Sequence, residues 1–313
     1  MTTNNQAITD QRGTQAAALG FIGMGHMGSL MAQRLLAAGY PLAVYDRTQE
    51  KAQALGQLGA VVTDTPSDLA AHSDVVLLSV TDDAAQEHVM FGQDGALAGL
   101  RAGSTIIDLS TVSPSASRHL YQAAREQGVA MIDAPVSGSV AQVEQGSLVI
   151  FVGGDPETYE RCRPILAVLG ASIFYMGPCG RGTIMKLVVN ALLGVGMQAL
   201  AEAIALGQKA GIEKNVLMDV LEQTAVLTPG QKAKLANVRS GQYPAQFALS
   251  MMHKDFGLIL SQAAEDSVAM PATAVAQQMY TAAMANGKDA DFSIMIQFMQ
   301  ALAGVPDGKA NLK

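Results

Sequence analysis

The stretch LGFIGMGHMGSLMAQRLLAAGY, residues 19–40, decides the fold of this 313-residue chain. A short β-prone run ending in Phe21 and Ile22 enters Gly23-x-Gly25-x-x-Gly28, and apolar residues at helical spacing follow. Each glycine has a mechanical task in such a strand–turn–helix unit. Gly23 makes the tight turn, Gly25 lets the backbone approach a pyrophosphate, and Gly28 brings helix against strand. The first helical turn offers unpaired N–H groups to an anion, so Met24, His26 and Met27 belong to the same candidate dinucleotide-binding loop. A second strand, PLAVYD, ends on Asp46, where a carboxylate accepts from the adenosine ribose and repels a 2′-phosphate. Arg47 and Thr48 follow and suit that phosphate instead. The expected cofactor is therefore NAD or NADP, with Asp46 tipping the reading towards NAD.

Outward from this unit, from Ala18, the runs ALGFIG, PLAVYD, VVLLSV, STIIDLS, VAMID, SLVIFVGG and SIFYMG alternate with helical stretches. That alternation predicts parallel pairing and a doubly wound α/β sheet. Ser113-Pro114 and Asp155-Pro156 each place a capping side chain before a proline at a helix start, and Gly128 and Gly170 mark the stops. After about Gly182 the strand-like runs cease. Ala-, Leu-, Met- and Gln-rich stretches take over, punctuated by Thr228-Pro229-Gly230, Tyr243-Pro244 and Met270-Pro271, so this half reads as all-helical. Its first segment, Thr183 to about Ala210, spans roughly 40 Å as a single helix. Being apolar nearly all round, it belongs between layers or between subunits. The chain thus divides into a disordered leader at 1–17, a dinucleotide-binding domain at 18–180 and a helical domain at 181–313.

Composition narrows the class. With 49% hydrophobic residues the chain can fill a sizeable core, and a net charge of −7 with a pI of about 5.2 argues against a nucleic-acid backbone or an anionic membrane as partner. Cys162 and Cys179 form no CxxC pair and fit a reducing compartment, so a cytosolic location is expected. The leader lacks the apolar core of a signal peptide. Between Lys186 and Glu202 lie only 15 uncharged residues, below the ~18 expected of a membrane span. The five histidines show no ligand spacing, no metal site is expected, and no Gly-x-Ser-x-Gly elbow suggests a serine hydrolase.

One residue resists this reading. In GRGTIMKLVVNALLGVGMQALAEAIALG, residues 180–207, Lys186 brings a positive charge to the start of a greasy helix, and a buried unpaired ammonium is costly. Asn190 lies four residues on, on the same helical face. Further motifs accompany it: DLSTVSP at 108–114, DAPVSGS at 133–139 followed by GSLVIFVGGD, GRGTIMKLVVN at 180–190, and HKDFGL at 253–258. With the glycine loop, these motifs resemble those of the β-hydroxyacid dehydrogenase family over about residues 18–305. The resemblance implies a Rossmann-like N-terminal domain and an all-α C-terminal domain joined by a long interdomain helix, usually in homodimers or homotetramers. It implies that Lys186 is the catalytic acid/base, with Asn190 orienting the ammonium or the reacting oxygen. A small carboxylate-bearing substrate would be held by Ser110 and by the Ser137, Gly138 and Ser139 loop. Val80, Thr81, Thr111 and Lys254 would lie against the cofactor. Ser139 departs from the family's usual glycine, and VAQVEQ after it is bulkier than common, which bears on substrate identity. Two alternatives remain at this stage: an imine reductase of the same architecture, which usually lacks the lysine, and a non-catalytic dinucleotide sensor or scaffold.

Overall fold

The structure is a computed structural model whose described residues are 17–285 and 289–305; the polar leader through residue 16 lies outside them. Leu19–Ile22 (β1), Leu42–Tyr45 (β2), Val61–Val62 (β3), Val75–Leu78 (β4), Thr105–Asp108 (β5) and Ala130–Asp133 (β6) form a parallel array in the order β3-β2-β1-β4-β5-β6. β1, β4 and β5 are buried along their whole length. Their unbroken apolar runs are what a strand covered by helices on both faces requires. The expected parallel pairing holds through β6, and beyond it the sheet turns mixed. Val136–Ser137 (β7) and Leu148–Gly154 (β8) are antiparallel to each other, and β8 also runs antiparallel to β6. With β8 antiparallel to both, β6 and β7 run in the same direction, separated in sequence only by Ala134 and Pro135, and the reversal falls in residues 138–147 between β7 and β8. Gly170–Gly177 (β9) then returns parallel to β8 after the helix Pro156–Leu169 (α8). The two-residue strands β3 and β7 escaped the sequence reading, since two residues carry no alternation.

Of the two expected caps, one forms. Ser113 Oγ accepts from Ala116 N at 3.0 Å and opens the helix Pro114–Glu126 (α6). Asp155, expected to cap α8, makes no such bond, and its Oδ2 accepts from the Tyr121 hydroxyl at 3.0 Å instead.

The long helix Arg181–Lys209 (α9) starts against β8 and β9 and carries the chain into a helical domain. That domain comprises Lys214–Gln223 (α10), Pro229–Ser240 (α11), Leu249–Glu265 (α12), Pro271–Met284 (α13) and Ile294–Leu302 (α14). Leu187, Met197, Leu200 and Ile204 of α9 share a core with Phe256 of α12, Tyr280 of α13 and Met295 of α14. Phe256 and Tyr280 meet edge to face at 5.1 Å between centroids. An 18-residue window of α9 reaches a mean hydropathy of 1.7, sufficient by composition for a membrane span, so counting uncharged residues did not dispose of that reading. Packing does. Half of that window is buried inside the fold, against α12, α14 and β8, as befits a core helix.

Candidate active site

The site is built on the carboxyl ends of the parallel strands. β1 ends at Ile22, and the chain turns at Gly23 with φ of +100°, where a Cβ would lie 2.2 Å from the Ser79 carbonyl oxygen. At Gly28, in the helix His26–Ala37 (α1), a Cβ would lie 2.0 Å from the Gly23 carbonyl oxygen. The protein's own backbone therefore demands these two glycines. Gly25 differs: it is exposed, and nothing lies within 4 Å of a Cβ built there. The room it leaves, at the N-terminus of α1, suits a pyrophosphate and so fits a dinucleotide. A cavity of about 450 Å³ opens at this point, lined by Met24, Gly25, His26, Ser29, Lys51 and Val140.

Asp46 sits at the rim of the same loop. Its Oδ2 accepts from Met24 N at 2.7 Å and its Oδ1 from Thr48 N at 2.8 Å, which fixes the carboxylate and leaves each oxygen capacity for a second donor. Arg47 and Thr48 are exposed beside it, while Met27 is half-buried. Lys51 was not singled out from the sequence. Its signal was its place four residues after Arg47, one turn along the helix Gln49–Gly56 (α2).

Past β4 and β5 the two loops are tied together. Val80 N donates to Ser110 Oγ at 3.0 Å, Ser110 N donates to Asp108 Oδ1 at 3.0 Å, and Gln86 Nε2 donates to Asp108 Oδ2 at 2.6 Å. Burial pushes the Asp108 carboxyl up to about 6, against the pull of the hydrogen bonds from Ser110. Ser110 is itself buried, and its Oγ accepts from Val80 N while lying against the Asp108 carboxyl.

The third strut comes from the helical domain. Lys254 on α12 donates to the Thr81 carbonyl at 2.9 Å and to the Thr111 carbonyl at 2.6 Å, joining the helical domain to both loops. The sequence reading set this lysine against the cofactor; here its ammonium holds the main chain that borders the cleft. Next to Lys254, Asp255 is buried. Its Oδ2 accepts from Asn190 Nδ2 at 2.5 Å. Lys254 Nζ also stands 2.9 Å from its Oδ1 in a charge contact, alongside its hydrogen bonds to the two carbonyls. Asn190 Oδ1 is buried with no hydrogen-bond partner.

Lys186 precedes Asn190 by one helical turn. It is half-buried and has no hydrogen-bond or ion-pair partner among the described residues. Burial lowers its ammonium to about 8, the Asp255 charge pulling it back up and the Lys254 charge pressing it further down. A cation of this kind can exchange its proton near neutral pH.

The start of α9 is held by Asp133 at the end of β6, a residue the sequence reading quoted within its motif without giving it a task. Asp133 Oδ1 accepts from Gly180 N at 2.7 Å, and Oδ2 accepts from Thr183 N at 2.7 Å and from Thr183 Oγ1 at 3.1 Å. Ser137 is half-buried on β7, whereas Gly138 and Ser139 are exposed. Ser139 N donates to Gln142 Oε1 at 2.6 Å, so that N–H is already engaged. These residues lead into the helix Val140–Gln145 (α7), which lies against α1 and brings Val140 to the cavity at the glycine loop. No direct hydrogen bond among the described residues joins them to Lys186.

Comparison with known proteins agrees with this geometry. The sequence profile of the NAD-binding domain of 6-phosphogluconate dehydrogenase matches residues 18–177, and that of the NAD-binding region of NADP-dependent 3-hydroxyisobutyrate dehydrogenase matches residues 180–299. The chloroplastic glyoxylate/succinic semialdehyde reductase 2 of Arabidopsis thaliana is 37% identical, over 93% of this chain and 81% of that protein. The 2-(hydroxymethyl)glutarate dehydrogenase of Eubacterium barkeri is 35% identical, over 92% of this chain and 96% of its own length. Among solved structures, 3-hydroxyisobutyrate dehydrogenase from Salmonella typhimurium superposes with a TM-score of 0.83 at 27% identity, covering 90% of this chain and 99% of that one.

Proposed function

Because the chain belongs to the β-hydroxyacid dehydrogenase family of NAD(P)-dependent oxidoreductases, we propose that it interconverts a small 3-hydroxy acid and its semialdehyde, with Lys186 as general acid/base. The carrying observation is Lys186 itself, half-buried, without an ion pair, and one helical turn from Asn190, whose amide is bound to the buried Asp255 of α12. A bound nicotinamide cofactor supplies or removes the hydride. Lys186 delivers a proton to the carbonyl oxygen during reduction and takes it from the hydroxyl during oxidation. Asp255 fixes the Asn190 amide through Nδ2, which directs Oδ1 as the free acceptor for the ammonium or the substrate hydroxyl. Ser110 and Ser137 are the hydroxyl donors we assign to the substrate carboxylate.

Both lysine and asparagine being present favours this reading over an imine reductase or a non-catalytic sensor. The reading is tested by following reduced-nicotinamide absorbance with NADH and NADPH against two- to four-carbon aldehyde acids. Turnover with one or more of them is expected; cofactor binding without turnover on the whole panel would reject it.

The Gly23–Gly28 loop would hold the pyrophosphate, and Asp46 at its rim supports NAD as the preferred cofactor. Arg47, Thr48 and Lys51, close to Asp46 in sequence, are the groups that would suit a 2′-phosphate, so Asp46 is the carboxylate we assign to repelling it. Asp46→Asn is expected to raise the NADPH-to-NADH ratio of kcat/KM at least about tenfold, since one like-charge contact is worth on the order of 1.4 kcal/mol or more. An unchanged ratio would remove Asp46 from cofactor choice.

The direction of the pH profile follows from Lys186. Below about pH 8 the amine is protonated and is the acid that reduction needs; above it the neutral base that oxidation needs prevails. Reduction is therefore expected to fall, and oxidation to rise, as pH passes through about 8, read from kcat against pH in both directions. We further propose a cytosolic homodimer or homotetramer, supported by two free thiols and by the apolar outer face of α9, where Val188, Leu192 and Leu206 are exposed.

A further inference from the structure

Two lysines share one buried carboxylate in this fold. Lys254 touches Asp255 Oδ1 at 2.9 Å, Asn190 occupies Oδ2 at 2.5 Å, and Lys186, one helical turn before Asn190 on α9, makes no ion pair with it among the described residues. Lys254 is itself held by the Thr81 and Thr111 carbonyls, so it stays at Asp255 for as long as α12 is closed on the two loops. Other acids near the cleft are committed elsewhere: Asp108 to Ser110 and Gln86, Asp133 to the first turn of α9. The charged groups acting on Lys186 among the described residues are thus Asp255 and Lys254, both from α12.

We propose that Lys254 is a positioning residue: by occupying Asp255 and pinning α12 to the loops after β4 and β5, it keeps that carboxylate from closing an ion pair onto Lys186. Were Lys254 uncharged, Lys186 would be the remaining lysine acting on Asp255 among the described residues, and a buried carboxylate attracts a nearby ammonium strongly. Lys186 would then be locked as a cation and lose the ability to exchange its proton. The inference extends the acid/base reading of Lys186, but concerns a property of the amine that exists whether or not that reading holds.

The test reads the amine directly. The full chain, without cofactor, is labelled with trinitrobenzenesulfonate across pH 6–11, and modification of the Lys186 peptide is quantified by mass spectrometry. In Lys254→Met the midpoint for Lys186 is expected to move by about one pH unit or more to the alkaline side. Lys254→Arg, which retains charge and donors, should stay within a few tenths of wild type, and Lys254→Met with Asp255→Asn should return it to the acid side. A folded Lys254→Met with an unmoved midpoint overturns the proposal. Should that variant not fold, Lys254→Gln removes the charge while keeping donors for the two carbonyls, and is judged by the same shift. Failure of the acid/base reading would appear separately, as wild-type turnover in Lys186→Ala, and would leave the amine titration unaffected.

Discussion

Lys186→Ala is expected to lower kcat for aldehyde reduction by two to four orders of magnitude, about what a positioned general acid contributes. Nothing else in the cleft replaces it. Lys254 is the next ammonium, and it is engaged by the Thr81 and Thr111 carbonyls and the Asp255 carboxylate. Ser110 could donate, but a hydroxyl flanked by the buried Asp108 carboxylate is a poor acid. Dinucleotide affinity, measured by NADH fluorescence, should stay within about threefold, since the glycine loop and Asp46 are remote from α9 in the hydrogen-bond network. The melting temperature at pH 7 should be equal or higher, because the variant removes a charge that burial disfavours. A folded, cofactor-binding variant that turns over near the wild-type rate would take Lys186 out of the chemistry.

Asp133→Ala is expected to cost about 3 kcal/mol of stability in urea unfolding, and to reduce activity with it. The buried carboxylate accepts three hydrogen bonds from the first turn of α9, at 2.7, 2.7 and 3.1 Å. Its removal leaves two buried N–H groups without a partner and takes a negative charge from a helix N-terminus. No shift of the helix can readily restore them. A Cβ at Gly182 would already lie 2.3 Å from the Phe151 carbonyl oxygen, so α9 starts in direct backbone contact with the sheet. Since Lys186 is borne on the second turn of that helix, loosening its start also displaces the amine. A loss below about 1 kcal/mol would show that α9 is held by its packing on the helical domain and not by this anchor.

What the sequence alone determined is local in origin. The glycine loop, the paired Ser113-Pro114 helix start and the long apolar helix are visible because turns, caps and helices are encoded within a few residues, by φ angles, capping side chains and i, i+4 spacing. The oddity of Lys186 was visible for the same reason, as a charge out of keeping with its neighbours. The tertiary structure decided what depends on distant residues meeting. Asn190 finds Asp255 at a separation of 65 residues, Lys254 reaches Thr81 across 173, and Asp133 takes the start of α9 at 47 and 50. The reversal of β8 and the engagement of Asp155 by Tyr121 belong to the same class. No spacing rule writes such pairs, because which acid meets which lysine is set by how helices and loops pack; only the folded chain places Lys254 and Asn190 on the Asp255 carboxylate and leaves Lys186, one turn before Asn190, without an ion pair.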